Sequence, residues 1–166
     1  MRLKAGFKMD ETTQVKARLS SHLKGGEAFI TIDELLKELP FDKLGIRPNN
    51  LPYSLFELFY HIRFTQKDLL EYCINEDYRE HTWPEDYWPM ETAPPNEESW
   101  ENLKQGYFRE RELLIEHLLK PDTNLLAPVR TNPDHTLLRE VLLVIEHTAY
   151  HTGQMLVLSR QLGIHQ

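Results

Sequence analysis

With a single cysteine, Cys73, the chain has no partner for an internal disulfide, which suits a reducing compartment such as the cytoplasm. Glycine is scarce, at 7 of 166 residues, and 5 Val and 8 Ile stand against 26 Leu. That balance opposes a β-sandwich or barrel and favours helix. No cluster of Lys and Arg forms a basic stripe, and the formal net charge is −7. A phosphate-backbone binder is therefore not indicated, and no nucleic-acid partner is expected. The longest unbroken apolar stretch, Val141 to Ile145, falls far short of the ~20 residues of a bilayer crossing, so no membrane partner is expected. Met1 to Asp10 holds no apolar segment of the kind a secretory leader carries. The expectation is a soluble, cytoplasmic, helical protein forming one domain over residues 1–166.

Helix signals punctuate the chain. Val15, Leu19 and Leu23 recur one turn apart, predicting an amphipathic helix over about 13–23 that Gly25-Gly26 ends. Thr31-Ile32-Asp33-Glu34 is a capping box for a small helix near Asp33 to Leu39, stopped by Pro40. Ser54-Leu55-Phe56-Glu57 is a second capping box, opening a long helix over about 54–74. Residues 75–96 then break the pattern with Pro84, Pro89, Pro94 and Pro95, and with Trp83, Tyr87 and Trp88. A connection that long inside a compact domain is often functional. Asn96 caps a helix to about Lys120, whose stripe of Trp100, Leu103, Tyr107, Leu114 and Leu118 is interrupted at Glu110 and Arg111. Thr136 caps the last helix, over about 137–162, with Gly163 as its stop; being apolar on most faces, it is expected at the centre. The fold class predicted is all-α: a four-helix bundle with a small extra helix between helices 1 and 2, its long connections permitting crossovers.

His147-Thr148-Ala149-Tyr150-His151 sets two imidazoles one turn apart on one helix face. One divalent ion can accept two nitrogens from one helix at that spacing, and two unpartnered histidines in so apolar a helix would be costly. By spacing alone, a pair of satisfied or surface histidines explains the motif equally well. It is not the zinc-protease motif, which needs Glu where Thr148 stands. A site with an open coordination position needs a third ligand, from His22, His61, His81, His117, His135 or His165. His135 and His165 lie at or beyond the ends of the last helix, His81 is in the long loop, and His117 reads as surface. His61 shares a stripe with Leu58, Ile62 and Leu69 and is best placed, although a lone histidine there also reads as a satisfied core residue.

The chain resembles the DinB/YfiT-like family of the DinB superfamily, a group of proposed metalloenzymes. The resemblance runs from about Glu27 to Gly163. It rests on Leu51-Pro52-Tyr53-Ser54, on Glu57-Leu58-Phe59-Tyr60-His61, on Asp86-Tyr87-Trp88-Pro89, on Leu138-Arg139-Glu140 and on His147 through Gln154 with its His-x-x-x-His-x-Gly-Gln pattern. It implies an up-down-down-up bundle whose metal ligands are His61, His147 and His151, holding one zinc or nickel ion. It further implies a metal-dependent enzyme, either a hydrolase or a thiol-dependent S-transferase in which a low-molecular-weight thiol attacks a small electrophile, and a homodimer as a possible assembly. A non-catalytic metal- or ligand-binding stress protein is the alternative, and an ion that only ties helices together is a third reading.

Around the three histidines no catalytic residue is assigned, and each neighbour has a bland explanation beside the functional one. Gln154 is placed to hold a metal-bound water or a ligand ring, or simply to pack between helices. Glu57, one turn before His61, orients that ring or only caps its helix. Tyr150 points into a pocket or into the core. Arg111 belongs to a buried ion pair or binds an anionic substrate group. Trp88, with Trp83, roofs the pocket or anchors the Pro-rich loop. Gly153 suggests a close helix crossing near the ligands. Cys73 reads as an inert thiol. Histidine ligation itself predicts that metal affinity falls below about pH 6.

Overall fold

Each helix begins where a side chain can satisfy its first free amides. In the computed structural model, which describes residues 10–165, Asp10 caps α1 (Glu11–Lys24) by accepting from the Thr13 amide. The reading of the N-terminus as leaderless falls mainly on residues 1–9, outside the described residues. Both predicted capping boxes form: Thr31 with Glu34 opens α2 (Ile32–Glu38), and Ser54 with Glu57 opens α3 (Leu55–Ile74). Asn96 caps α4 (Glu97–Leu119) and Thr136 caps α5 (Leu137–Gln161). Such a side chain contributes about 1 kcal/mol, and the predicted boundaries hold to within two residues. At the far end of α5, Gly163 takes φ +67°, and the Ile164 amide turns back to the Ser159 carbonyl at 2.9 Å. Among the described residues there is no β-strand, only an isolated bridge between Pro128 and Thr136. No helix there is long and apolar enough to cross a membrane.

The contacts give the order of the bundle. Phe59 meets Trp100, and further along both helices Gln66 donates to the Tyr107 carbonyl, so α3 and α4 run parallel. The 22-residue crossover 75–96 makes that possible. His61 meets His147 and His151, while Leu70, later on α3, clusters with Val141 and Val144, earlier on α5; these two helices are antiparallel. Lys24 pairs with Glu112 and Lys16 reaches the Lys120 carbonyl, so α1 opposes α4. The result is the up-down-down-up bundle, with α3 packed on α4 and α5 and α1 closing the square against the same two helices.

Two apolar cores divide this bundle. One joins α2 to the first half of α3, with Leu35, Phe59, Tyr107 and Met155; the other gathers Leu19, Leu70, Leu114, Leu118 and Val141. The chain between them is polar: Arg63 and Gln66 on α3, Glu110 and Arg111 on α4, His147 and His151 on α5. Arg63 crosses to Glu110 with two hydrogen bonds of 3.1 and 2.8 Å. Gly106 leaves it room, because a Cβ there would lie 2.2 Å from the Arg63 guanidinium carbon.

Two expectations about packing are corrected. Val15 is exposed, and Lys16 is buried in its place beside Leu19 and Leu23, its ammonium donating to the Lys120 carbonyl at 2.7 Å. A long aliphatic stem can lie along the core while its charged end finds an acceptor. The central helix is α3, with ten buried residues out of 20, rather than α5. Leu142, Tyr150 and Val157 leave α5 with an apolar but solvent-facing side.

Candidate metal centre

The antiparallel crossing of α3 and α5 brings His61, 2% exposed, against His147 and His151. One ring nitrogen from each lies within 4.8 Å of those of the other two. The closest approach is between His61 Nε2 and His147 Nε2, at 3.0 Å. Two ligands at right angles, each about 2.1 Å from one ion, would be about 3.0 Å apart. The His61 and His147 rings therefore stand at a separation that a shared cation allows, with His151 beside them.

Their orientation is set from behind. The Tyr87 carbonyl can only accept, so the His61 Nδ1–H donates to it at 3.1 Å and leaves the Nε2 lone pair toward the other histidines. Gln154 directs its amide nitrogen to the Tyr150 hydroxyl at 3.3 Å, which turns its oxygen to accept from His151 Nδ1 at 2.6 Å. His151 is thereby left with Nε2 unprotonated. Holding a ligand's distal nitrogen in this way fixes ring direction and raises its basicity toward a metal.

Burial is the chief electrostatic fact of the cluster. It pushes His61 down to about 4, with the nearby His151 adding to the effect and the Tyr87 carbonyl opposing it. It pushes His147 down to about 3, reinforced by His151 and His61. His151 is lowered as well, against the opposing hydrogen bond to Gln154. Desolvation disfavours the imidazolium, so all three rings are neutral near pH 7 and offer lone pairs. The pH below which a metal should be lost consequently moves down from the 6 expected for ordinary histidines.

The sequence candidates separate into two groups. Gln154 and Trp88 join the histidines: the Trp88 indole stacks on His61, centroid to centroid 4.1 Å and 7° from parallel. Trp83 stands 6.0 Å from the same ring and is largely exposed. Tyr150 lies in neither core; its ring edge meets His151 at 4.8 Å and it is 63% exposed. It helps line a groove of about 310 Å³ with Tyr53, Gly153, Gln154, Val157 and Leu158. Glu57 is taken up elsewhere, holding the Ser54 amide at 2.7 Å and pairing with Arg47, so it does not orient His61. Arg111 is also taken up elsewhere, in a two-pronged pair with Asp33 at 2.7 and 2.9 Å that ties α4 to α2. No helix crosses at Gly153, beside which a Cβ would meet open space.

Among the other histidines, His81 lies 3.8 Å from Asp68 and from Asp86, His135 bonds the Tyr72 hydroxyl, and His165 pairs with Glu38. Burial holds the Cys73 thiol up at about 12, which makes it the inert residue expected. Sequence reasoning missed Tyr87, because its contribution to His61 is a backbone carbonyl and leaves no mark in residue type.

A family model described as the DinB superfamily matches residues 31–155, a span that starts at the cap of α2 and takes in all three histidines. Neither a curated protein nor a solved structure matches. The matched span covers 125 of 166 residues, and it takes in α2, α3, α4, most of α5 and the histidine cluster; the chain belongs to the DinB superfamily.

Proposed function

We propose that the protein is a metal-dependent enzyme whose ligands are His61, His147 and His151, and that it transfers a low-molecular-weight thiol onto small electrophiles. The observation that carries this reading is the approach of two neutral imidazole nitrogens, one from buried His61 and one from half-buried His147, to 3.0 Å, with a third ring beside them. Zinc and nickel both suit nitrogen donors of this kind. A divalent ion held by neutral imidazoles keeps its full charge and would lower the pKa of a bound thiol or water.

The chain's own groups have definable tasks in this scheme. The Tyr87 carbonyl and the Gln154 carboxamide hold two of the ligand rings. Neither is a carboxylate, so they leave the positive charge of the site undiminished for an anionic thiolate. Trp88 covers one face of His61 and keeps water from it. The groove lined by Tyr53, Tyr150 and Val157 opens next to Gln154 and has the apolar walls a small electrophile needs.

Elemental analysis of untagged protein, followed by turnover of an electrophile with small thiols before and after chelation, tests the reading. Stoichiometric zinc or nickel with chelator-sensitive turnover is expected. Metal without turnover would leave a binding protein, and absence of metal after incubation with either ion would end the metal reading.

A further inference from the structure

Asp68 is a carboxylate inside the bundle that the metal site does not use directly. It lies on α3 two turns beyond His61 and is 7% exposed. A carboxylate so placed is costly unless its oxygens are hydrogen-bonded. Both are: Oδ1 accepts from the Tyr78 hydroxyl at 2.8 Å and Oδ2 from the Tyr87 hydroxyl at 2.6 Å. Each tyrosine is pushed upward from its ordinary pKa, by burial first and by the bond to Asp68 next. They therefore stay protonated and donating across the physiological range. Both belong to the 75–96 connection, so one acid on the helix grips that loop at two points.

The second grip has a consequence for His61. Tyr87 ends a single 3-10 turn, Glu85–Tyr87. Its hydroxyl is fixed on Asp68 while its carbonyl receives the His61 Nδ1–H. The next residue, Trp88, lies flat on the same imidazole. The His61 ring is thus held by a carbonyl and an indole whose positions depend on the Tyr87 phenol, anchored at Asp68 seven residues along α3 from the ring. Phe64 supports the phenol from the helix side at 5.0 Å. Which nitrogen of a neutral histidine is bare depends on the bond the other nitrogen makes, and here that bond depends on the loop.

We infer that Asp68 is a positioning residue for the histidine cluster: through the Tyr87 hydroxyl it sets the Tyr87 carbonyl and so keeps His61 in the tautomer with a bare Nε2. The inference rests on the proposed metal reading only where metal affinity is concerned; the tautomer of His61 is a property of the metal-free protein.

The test is nitrogen-15 NMR of the histidine rings in metal-free wild type, Tyr87→Phe, Asp68→Asn and Tyr78→Phe, with zinc affinity measured by chelator competition on the same samples. Tyr87→Phe removes one oxygen and keeps the ring, and thermal melting verifies that all three variants are folded at the temperature of measurement. In wild type, His61 is expected as the Nδ1–H form. In Tyr87→Phe and Asp68→Asn it is expected to become a mixture of tautomers, with zinc held about tenfold more weakly. Tyr78→Phe lacks the other hydroxyl and should keep the wild-type His61 signal. Unchanged His61 signals in both Tyr87→Phe and Asp68→Asn would overturn the inference. So would equal shifts in Tyr78→Phe and Tyr87→Phe, which would show a general loosening of the loop. If wild type binds no zinc, the metal reading fails, and the NMR comparison still decides the role of Asp68.

Discussion

Two polar groups interrupt the apolar seams of this bundle, and they are built on opposite principles. On the α4 side, Glu110 meets Arg63 and Arg111 meets Asp33, so each buried charge has its counter-charge within hydrogen-bond distance. On the α3–α5 side, three bases of the same kind face one another, with no acid among the partners of their rings. The first group is complete as the chain folds. The second is neutral only because burial keeps protons off, and the bare Nε2 of His61 stands 3.0 Å from the Nε2 of His147. A charged residue buried with its partner reads as architecture. Bases gathered together, two of them with their outer nitrogens held from behind, read as a place for a cation.

Acidification should separate the two groups most strongly. In the metal-free protein His61 and His147 titrate near 4 and 3, against an ordinary 6.5 in the unfolded chain. Between those values the unfolded chain binds more protons, so stability is complete above about pH 6.5 and falls as pH drops toward 4. At about 1.4 kcal/mol per unit, His61 alone accounts for a loss on the order of 3 kcal/mol by pH 4. Urea melts across pH 4–7 with and without zinc measure this, and bound zinc should move the loss to lower pH. A metal-free stability that stays flat from pH 6.5 to 4.5 would mean that the rings are not buried as neutral bases.

Replacing Arg111 with Ala should cost about 3 kcal/mol. That is the low end for removing one partner of a buried pair, because Asp33 retains some access to water. Metal affinity should remain within about twofold, since the pair makes no contact with the rings. A large loss of affinity with unchanged stability would place Arg111 in the site after all.

His61→Ala is the converse. It should weaken zinc binding by more than about 100-fold, roughly 2.7 kcal/mol, while circular dichroism still shows a helical bundle. A variant that keeps stoichiometric, tight zinc would remove His61 from the ligand set.

Smallest is Gln154→Ala. Loss of the carboxamide behind His151 should weaken zinc about tenfold, at the mild end for a residue that orients a ligand. Gln154→Glu sharpens the point. A carboxylate there would still accept from His151 and would add negative charge, so metal should bind at least as well as in wild type while turnover with an anionic thiol falls.

The helices were legible in the sequence because their signals are local. Thr31 with Glu34 and Ser54 with Glu57 announce themselves within four residues, and the structure uses both. His147 and His151 were legible for the same reason, since helical pitch alone puts them on one face. Val15 misled because a repeat one turn apart marks a face without saying which neighbour covers it; Lys16, with an acceptor at Lys120, took the buried place. Glu57 was open to two readings in a similar way. Proximity along a helix put it one turn before a ligand, but its carboxylate was claimed by its own cap and Arg47.

By itself the sequence determined the five helices, the caps of the last four, the paired histidines on the last long helix and the polar break in α4. All of these depend on backbone hydrogen bonding and a 3.6-residue period, which act over a few residues. Only the tertiary structure decided that α3 is the central helix, that Arg111 pairs with Asp33 rather than facing a substrate, and that the Tyr87 carbonyl and Trp88 close on His61. Those outcomes join residues 78, 26 and 27 positions apart in the chain. Their geometry comes from how the packed helices cross and how the long connection is fastened, and no local pattern of residue types encodes it.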